Sequence, residues 1–324
     1  MGLVRRPAAL PETMERHQVA IYLAAVAAGA GLGLSMPSWQ SSLELAINPA
    51  IAGLLYVTFL QVPTATLGKS LRDSRFMAVL LAVNFVVVPI VVGVLFTLLP
   101  DEPAIRIGVL LVLLCPCVDY VIVFSGLAGG AGHRLLAATP ILLLAQMALL
   151  PVYLTIFMGT EIADIVEPEP FVVAFIVLIA VPLAAAWSTQ AAARSIPQMD
   201  RFRAGVSTLM VPLVVLVLVV VVASQMATLG DHARDIVELI PVYVVFLAVM
   251  AGLGLLIARR AGLDLPARRA IAFSGATRNS LVVLPLALAL PAGFEVAGAV
   301  VVTQTVVEVL GMVALVAIIP RITR

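Results

Sequence analysis

The sequence predicts an all-α integral membrane protein with ten transmembrane helices. Its 324 residues are 62% hydrophobic and only 11% charged, with a mean hydropathy of +1.15. A soluble protein of this composition would have too few charges to cover its surface, whereas a lipid bilayer requires runs of about 20 apolar residues. The bilayer is therefore the expected environment of most of the chain.

Charge and cysteine content exclude several classes of function. The 19 basic and 18 acidic residues nearly balance, and no basic stripe with interleaved aromatic residues indicates a nucleic-acid partner. The two cysteines, Cys115 and Cys117, lie two residues apart in an apolar run. They form no disulfide framework, and no second pair completes a tetrahedral zinc site. No metal and no cofactor is expected, so the cysteines would act as thiols.

Hydropathy divides the chain into ten spans after an N-terminal tail of residues 1–18. The first stretch is long for a signal peptide and many similar stretches follow it, so it is assigned as a span. The second and ninth spans are interrupted, by Asn48-Pro49 and by the polar run from Ser274 to Ser280. The spans lie near residues 19–36, 43–63, 76–99, 105–128, 136–157, 170–188, 204–226, 238–258, 268–290 and 296–319.

The basic residues of the loops predict the orientation of the chain. Lys and Arg accumulate on the cytoplasmic side of membrane proteins, and 16 of the 19 lie in alternate segments that begin with the N-terminal tail. The other loops hold only Arg106 and Arg234, and the segment from Glu161 to Glu169 is purely acidic. Both termini, including residues 320–324, are expected in the cytoplasm of a multi-pass protein of the plasma (inner) membrane.

Ten spans divide into two repeats of five, residues 19–158 and 170–319, joined by an external linker at 159–169. An odd number of helices per repeat gives the two halves opposite orientations. The fourth span of each half is broken, around Cys115-Pro116-Cys117 and around Arg278-Asn279. Inverted repeats with broken helices at matching positions indicate a secondary transporter. No GxxxxGK[ST] motif indicates an ATP-driven pump.

Three charged residues, Asp119, Arg278 and Glu308, fall near the middle of their spans. Each costs at least about 2.5–3.5 kcal/mol to insert into a bilayer. A satisfied ion pair that only fixes helix packing is one explanation. Three charges cannot pair completely, however, so one carboxylate is left over. We expect Asp119 or Glu308 to carry an exchanged proton while Arg278 pairs with the other.

Uncharged polar residues are predicted to complete a site around these charges. A soft thiol is a plausible ligand at Cys117, although a buried cysteine often serves only as a small apolar residue. Two thiols at i and i+2 point to different faces of a regular helix, so joint binding by both cysteines would need the break at Pro116. The predicted substrate-binding residues are Cys117, Cys115, Asn279 and Ser280, and the supporting polar residues are Gln146, Ser125 and Gln304.

Three stretches resemble the Acr-type arsenite efflux permeases. The run from Cys117 to Ala128, Cys-Val-Asp-Tyr-Val-Ile-Val-Phe-Ser-Gly-Leu-Ala, is similar to that family's fourth-helix segment, in which a cysteine opens an apolar run that ends in a polar pair and Leu-Ala. Thr305-Val-Val-Glu-Val309 resembles its last helix, with Glu308 at the position of a buried glutamate, and Tyr56 to Lys69 resembles its second-helix exit. The overall plan is similar to that of the bile acid/sodium symporter superfamily. The resemblance implies a panel of helices against a core in which helices four and nine cross where they unwind.

The chain departs from these families at two positions. Asp119 stands where the arsenite permeases usually have a small apolar residue. In sodium-coupled relatives the ninth-helix break carries Glu and Gln as cation ligands ahead of Asn-Ser, whereas the similar frame here reads Ser274-Gly-Ala-Thr-Arg278-Asn279-Ser280. A fixed guanidinium in that place argues electrostatically against the sodium site.

Two hypotheses for function follow, and neither is an enzyme, because no membrane-depth histidine is present to activate the cysteines. The first is a secondary transporter that exports arsenite or a related trivalent metalloid in exchange for protons, with Cys117 displacing one hydroxyl of the metalloid. The second is a sodium- or proton-coupled symporter of a small organic anion whose carboxylate binds Arg278. The expected partners are a small inorganic metalloid or anion, protons and the lipid bilayer, and no nucleic acid.

Overall fold

A computed structural model describes residues 10–61, 73–159, 169, 172–173 and 175–323. Within these ranges the chain is helical and forms no strand; a single isolated bridge pairs Pro116 with Arg278. Residues 1–9, the predicted loop with Lys69 and Arg72, most of the predicted linker at 159–169, and residue 324 lie outside the described ranges. The predictions made for those segments are therefore not addressed by the structure.

Thirteen helices are used to describe the fold. A π-helical turn at Val83–Val87 lies inside α3, and another at Phe175–Ala180 leads into α7. In chain order the helices are α1 (Leu10–Ser35), α2 (Gln40–Gln61), α3 (Ser74–Phe96), α4 (Pro103–Leu113), α5 (Tyr120–Leu127), α6 (Gly132–Met158), α7 (Val181–Ala193), α8 (Pro197–Ser207), α9 (Met210–Asp231), α10 (Ala233–Arg260), α11 (Leu265–Ala276), α12 (Ser280–Leu288) and α13 (Val296–Ile322).

Six helices among the described residues are long and apolar enough to cross a membrane. A seventh span is counted if α8 and the first part of α9, which meet at a 46° bend, are taken together. Several of these helices expose large apolar side chains, for example Leu45 at 80% and Val94 at 65% exposure, as expected for contact with lipid. The predicted all-helical membrane protein is confirmed at this level.

The prediction that Asn48-Pro49 interrupts the second span is wrong. Pro49 lies inside the unbroken helix α2. A proline removes one backbone donor, but within a bilayer a helix that loses one hydrogen bond is still far more favourable than an unpaired extended segment.

The helices pack in two groups. In the first, α9 packs along both α1 and α2, and α2 packs along α7. In the second, α10 packs along α11, and α13 contacts α4, α10 and α12. The two groups meet mainly where α9 contacts α13. The broken helices α4–α5 and α11–α12 both belong to the second group, so that group carries the candidate site.

Glycines allow the closest helix contacts. A Cβ atom added at Gly29 or Gly33 of α1 would lie 2.9 or 2.5 Å from a backbone oxygen of α9. A Cβ atom added at Gly254 of α10 would lie 2.9 Å from the Cα of Ala272 in α11. Small residues at such contacts let helix backbones approach closely, which is a main source of stability between helices in lipid.

The contact between α10 and α11 gives the first prediction. Gly254→Ala should destabilise the protein by about 1–3 kcal/mol, because the added methyl group meets backbone that cannot move aside. Gly252→Ala is the matched control on the same helix, since its Cβ would meet nothing within 4 Å. The measurement is the thermal unfolding midpoint of the purified protein in detergent. A midpoint for Gly254→Ala equal to that of Gly252→Ala would contradict the packing described here.

Candidate functional site

The two broken helices meet at their breaks. Helix α4 ends at Leu113 and α5 begins at Tyr120, while α11 ends at Ala276 and α12 begins at Ser280. The backbone N–H of Cys117 donates to the carbonyl of Thr277 at 3.2 Å, and the N–H of Asn279 donates to the carbonyl of Cys115 at 2.8 Å. Each break thus satisfies backbone groups that the other leaves unpaired, as a buried backbone requires.

This crossing gathers four helix ends. The C-terminal carbonyl groups of α4 and α11 lead into it, and the N-terminal amide groups of α5 and α12 lead out of it. Helix C-termini carry partial negative charge and N-termini partial positive charge. Asn279 caps α12, with its Oδ1 accepting from the N–H of Val282 at 3.4 Å. The site therefore has an electronegative part and an electropositive part.

The Arg278 side chain occupies the electronegative part and is 0% exposed. Its guanidinium carbon lies 5.4 Å from the ring centroid of Phe246 in α10. Its nitrogens donate to four oxygens: Nη1 to the Leu113 carbonyl at 3.3 Å, and Nη2 to the Ser274 carbonyl at 2.7 Å, the Gly275 carbonyl at 2.8 Å and Asn84 Oδ1 at 2.9 Å.

The predicted ion pair between Arg278 and a carboxylate is not formed. Asp119, Glu308 and Arg278 are all among the described residues, and the ion pairs found there within 4.0 Å involve other side chains. The sequence shows three charges at one depth, but it does not show that two helix C-termini converge there. Their carbonyl oxygens provide the guanidinium with acceptors in place of a carboxylate.

Glu308 of α13 is held by three donors. Its Oε1 accepts from the hydroxyl of Tyr120 at 2.9 Å, and its Oε2 accepts from the backbone N–H of Arg278 at 2.6 Å and from Nε2 of Gln304 at 2.5 Å. Several donors to one buried carboxylate compensate its lost hydration. Glu308 thereby ties α13 to α5 and to the break between α11 and α12.

Asp119 has far fewer partners, although it is only 1% exposed. It precedes the first residue of α5, and its Oδ1 lies 3.5 Å from the hydroxyl oxygen of Thr58 in α2. Its Oδ2 has no hydrogen-bond partner among the described residues. Asp119 is thus a buried carboxylate with neither a cation nor a full set of donors.

The two cysteines are both buried with free thiols, but they have different neighbours. The sulfur of Cys117 lies at the N-terminus of α5, beside the backbone amide groups of Asp119 and Val121, and within electrostatic range of Asp119 and Glu308. Arg278 lies within electrostatic range of both cysteines, whereas the two carboxylates act on Cys117. Cys117 is therefore the cysteine closer to the carboxylates of the site.

Several of the predicted site residues carry buried side-chain atoms that have no hydrogen-bond partner among the described residues. These are Asp119 Oδ2, Arg278 Nε, Asn279 Nδ2, Gln304 Oε1, Ser125 Oγ and both amide atoms of Gln146. Each such group costs about 1–3 kcal/mol when it stays unpaired. A group of them in one region indicates a place where a polar solute binds.

The structure brings most of these residues together. Asp119, Asn279 and Ser280 lie at the crossing, and Gln304 contacts Glu308 beside it. Ser125 lies farther along α5, where its carbonyl accepts from the N–H of Gly130 at 2.7 Å. Gln146 is buried in α6, and its amide atoms form no hydrogen bond with the other described residues.

Sequence reasoning missed three residues of the site: Asn84, Tyr120 and Thr58. Asn84 is the one amide side chain in the predicted span 76–99, which was a usable signal. Tyr120 and Thr58 give no such signal, because a phenol or a threonine within an apolar span is readily explained by packing or by a bond to its own helix. Thr58 indeed also donates to the Leu54 carbonyl at 2.9 Å.

The comparison with known proteins gives a family. The model of the sodium bile acid symporter family matches residues 48–232, which is more than half of the 324 residues. This range includes α4, α5 and the residues from Cys115 to Asp119. No curated protein matches the chain closely enough to count as a relative. The matched range is sufficient to conclude that the chain belongs to the sodium bile acid symporter family.

Proposed function

We propose that the protein is a secondary transporter that exports arsenite or a related trivalent metalloid in exchange for protons. Membership of the sodium bile acid symporter family supports a transporter of a small solute across a lipid bilayer rather than an enzyme. The assignment of a metalloid substrate and of proton exchange is part of the proposal. It rests on the position of the Cys117 thiol at the crossing.

The architecture we propose is that of ten spans in two inverted repeats, with α4–α5 and α11–α12 as the fourth and ninth spans. Residues 19–158 and 170–319 form the repeats, and α1, α2, α7 and α9 form a panel against a core of the other helices. The matching positions of the two breaks support this division. Both termini are proposed to lie in the cytoplasm and the protein in the plasma (inner) membrane.

Cys117 provides the soft ligand that a trivalent metalloid prefers. The thiol exchanges with one hydroxyl of the trihydroxide: the S–H and As–O bonds break, an S–As bond forms, and the proton leaves with the hydroxyl as water. The backbone amide groups of Asp119 and Val121 lie beside the sulfur. The cytosol keeps the thiol reduced.

The remaining hydroxyl groups of the substrate find polar partners close to Cys117. Asn279 Nδ2 is a donor without an acceptor among the described residues, and the Ser280 hydroxyl lies beside the Tyr120 phenol. Both belong to the N-terminus of α12, which is joined to the Cys115–Cys117 segment by the backbone bridge. The two residues would orient the bound metalloid hydroxide through hydrogen bonds. Cys115, which faces Arg278, has at most an indirect role.

We assign the exchanged proton to Asp119 rather than Glu308. Protonating Glu308 would weaken three short hydrogen bonds that hold the crossing together. Protonating Asp119 disturbs only the 3.5 Å contact with Thr58, and Oδ2 has no donor to lose. The carboxylate with fewer donors exchanges its proton at lower structural cost.

The surroundings of Arg278 support proton coupling over the alternative of a sodium-coupled anion symporter. Both Nη atoms already donate to backbone and amide oxygens, so they are not directed towards a substrate carboxylate. A guanidinium also places a fixed positive charge among these carbonyl oxygens, which repels a second cation.

Substitutions at Cys117 test the metalloid assignment. Cys117→Ser and Cys117→Ala keep the volume small but remove the soft ligand. Both should reach the membrane at parental levels, yet export should fall about tenfold or more, the effect of losing roughly 1.4 kcal/mol of binding. The measurement is arsenite accumulation in cells that lack other efflux systems. Cys115→Ser is the matched control and should export nearly normally. Parental export by Cys117→Ala would show that the thiol does not bind the metalloid, and absence of arsenite export by the parent itself would favour the organic-anion symporter.

Imposed ion gradients test the coupling. In everted membrane vesicles, a pH gradient that is acid inside should drive arsenite accumulation without ATP, whereas a sodium gradient should not. Asp119→Asn should abolish this accumulation but retain downhill arsenite exchange, since Cys117 is intact. Tracer uptake with each gradient separates the outcomes. Equal accumulation with a sodium gradient alone would refute proton coupling.

Cysteine labelling tests the orientation. A cysteine introduced at Ser195, between α7 and α8, should be protected in intact cells from an impermeant thiol reagent. A cysteine at Asp101, whose side chain is 90% exposed between α3 and α4, should react. The native cysteines are buried and serve as an unreactive background. The reverse labelling pattern would invert the proposed topology.

A further inference from the structure

We propose that α3, α4 and α11 form a binding cage for a guanidinium cation, that Arg278 occupies this cage as a tethered ligand, and that Asn84 is the residue that positions it. The proposal concerns the second, electronegative part of the crossing and does not depend on the identity of the transported solute. It differs from the usual role of a buried arginine, which is to neutralise a carboxylate.

The cage consists of oxygen acceptors on three separate helices. The Ser274 and Gly275 carbonyls belong to the last turn of α11, the Leu113 carbonyl ends α4, and Asn84 Oδ1 comes from α3. The carbonyls therefore come from two helix C-termini, those of α11 and α4, whose partial negative charges are directed at the cation. The face of Phe246 closes one side at 5.4 Å, a distance suited to a cation–π contact.

Asn84 is oriented by two bonds before it meets the cation. Its Nδ2 donates to the Leu80 carbonyl at 3.0 Å and to Ser274 Oγ at 3.0 Å. The amide oxygen is therefore directed at Arg278 Nη2, at 2.9 Å. An asparagine with both donors engaged can offer only its acceptor, which selects a hydrogen-bond donor at this point.

The backbone of α3 is irregular at Asn84. Asn84 lies in the π-helical turn Val83–Val87, a feature that often marks functional sites. The Tyr153 hydroxyl donates to the carbonyl of Phe85 in this turn at 2.6 Å. Gly275 allows the close approach, since a Cβ atom there would lie 2.9 Å from Cγ1 of Val83.

The cage suits a planar cation that presents two of its nitrogens to separate acceptors. The α4 carbonyl binds Nη1, while the α11 carbonyls and Asn84 bind Nη2. The guanidinium fork directs two nitrogens to two separate sets of acceptors, and an ammonium group has no such fork. The cage should therefore bind free guanidinium once the tethered side chain is removed.

The test uses the full chain with Arg278→Ala, purified in detergent, and millimolar guanidinium chloride. We expect this variant to unfold at a lower temperature than the parent, because the acceptors lose their donor. Guanidinium should then raise its unfolding midpoint saturably, by about 2 °C or more, since a ligand that binds only the folded state stabilises it. Equal concentrations of sodium chloride or urea should not do so. The readout is independent of transport, so it stands or fails separately from the proposed function.

Two controls make the result specific. Arg203→Ala removes an arginine from the pair with Asp200 on α8, outside the cage, and should show no such guanidinium effect. Arg278→Ala combined with Asn84→Leu should lose the effect, because the oriented acceptor is gone. A folded Arg278→Ala protein that guanidinium does not stabilise, or stabilisation that survives Asn84→Leu, would overturn the proposal.

A second comparison applies if Arg278→Ala yields no folded protein. In the otherwise unchanged chain, Asn84→Asp keeps an oxygen acceptor against the guanidinium, while Asn84→Leu removes it at similar volume. Asn84→Asp should unfold at a clearly higher temperature than Asn84→Leu. Equal midpoints would show that Asn84 acts by packing alone and would refute its positioning role.

Discussion

A bilayer offers no water to an unpaired backbone group, and this constraint accounts for the centre of the structure. Two helices are interrupted at membrane depth, and their interruptions are tolerated because they pair with each other through Cys115, Cys117, Thr277 and Asn279. Neither break would be stable alone. The side chains nearest the breaks then complete the pairing, with Arg278 satisfying helix C-termini and Glu308 accepting a backbone N–H.

This arrangement separates the charges of the site by role. The guanidinium of Arg278 donates to carbonyl oxygens, and the carboxylate of Glu308 accepts from three donors. Both side chains therefore hold the crossing together. Asp119 and the Cys117 thiol remain on the electropositive side, where polar atoms lack partners. If Asp119 and Cys117 act as proposed, the chemistry falls to residues that the fold does not use for its own stability.

Much of the fold and site follows from the sequence, and the failures have physical causes. Apolar runs identify the membrane protein, and the proline and polar motifs at Pro116 and Arg278 locate both breaks. One wrong inference, an ion pair for Arg278, arose because side-chain charges are visible in a sequence whereas converging backbone dipoles are not. Asn84 stands out in the sequence as the one amide of its span, but the direction of its side chain depends on a π-helical turn that no local pattern reveals.

The bridge between the two breaks also has a mechanical consequence. Two backbone hydrogen bonds contribute only about 1–3 kcal/mol together, but Arg278 locks α4 to α11 and α3, and Glu308 locks α5 to α13. The crossing should therefore resist sliding of these helices past one another. The two groups of helices meet mainly where α9 contacts α13, and across the same divide Thr58 of α2 approaches Asp119, beside α5, at 3.5 Å, which is longer than any hydrogen bond described for Glu308. Under the proposed transport function, a carboxylate held by so few donors at this divide would be placed to meet each side of the membrane in turn.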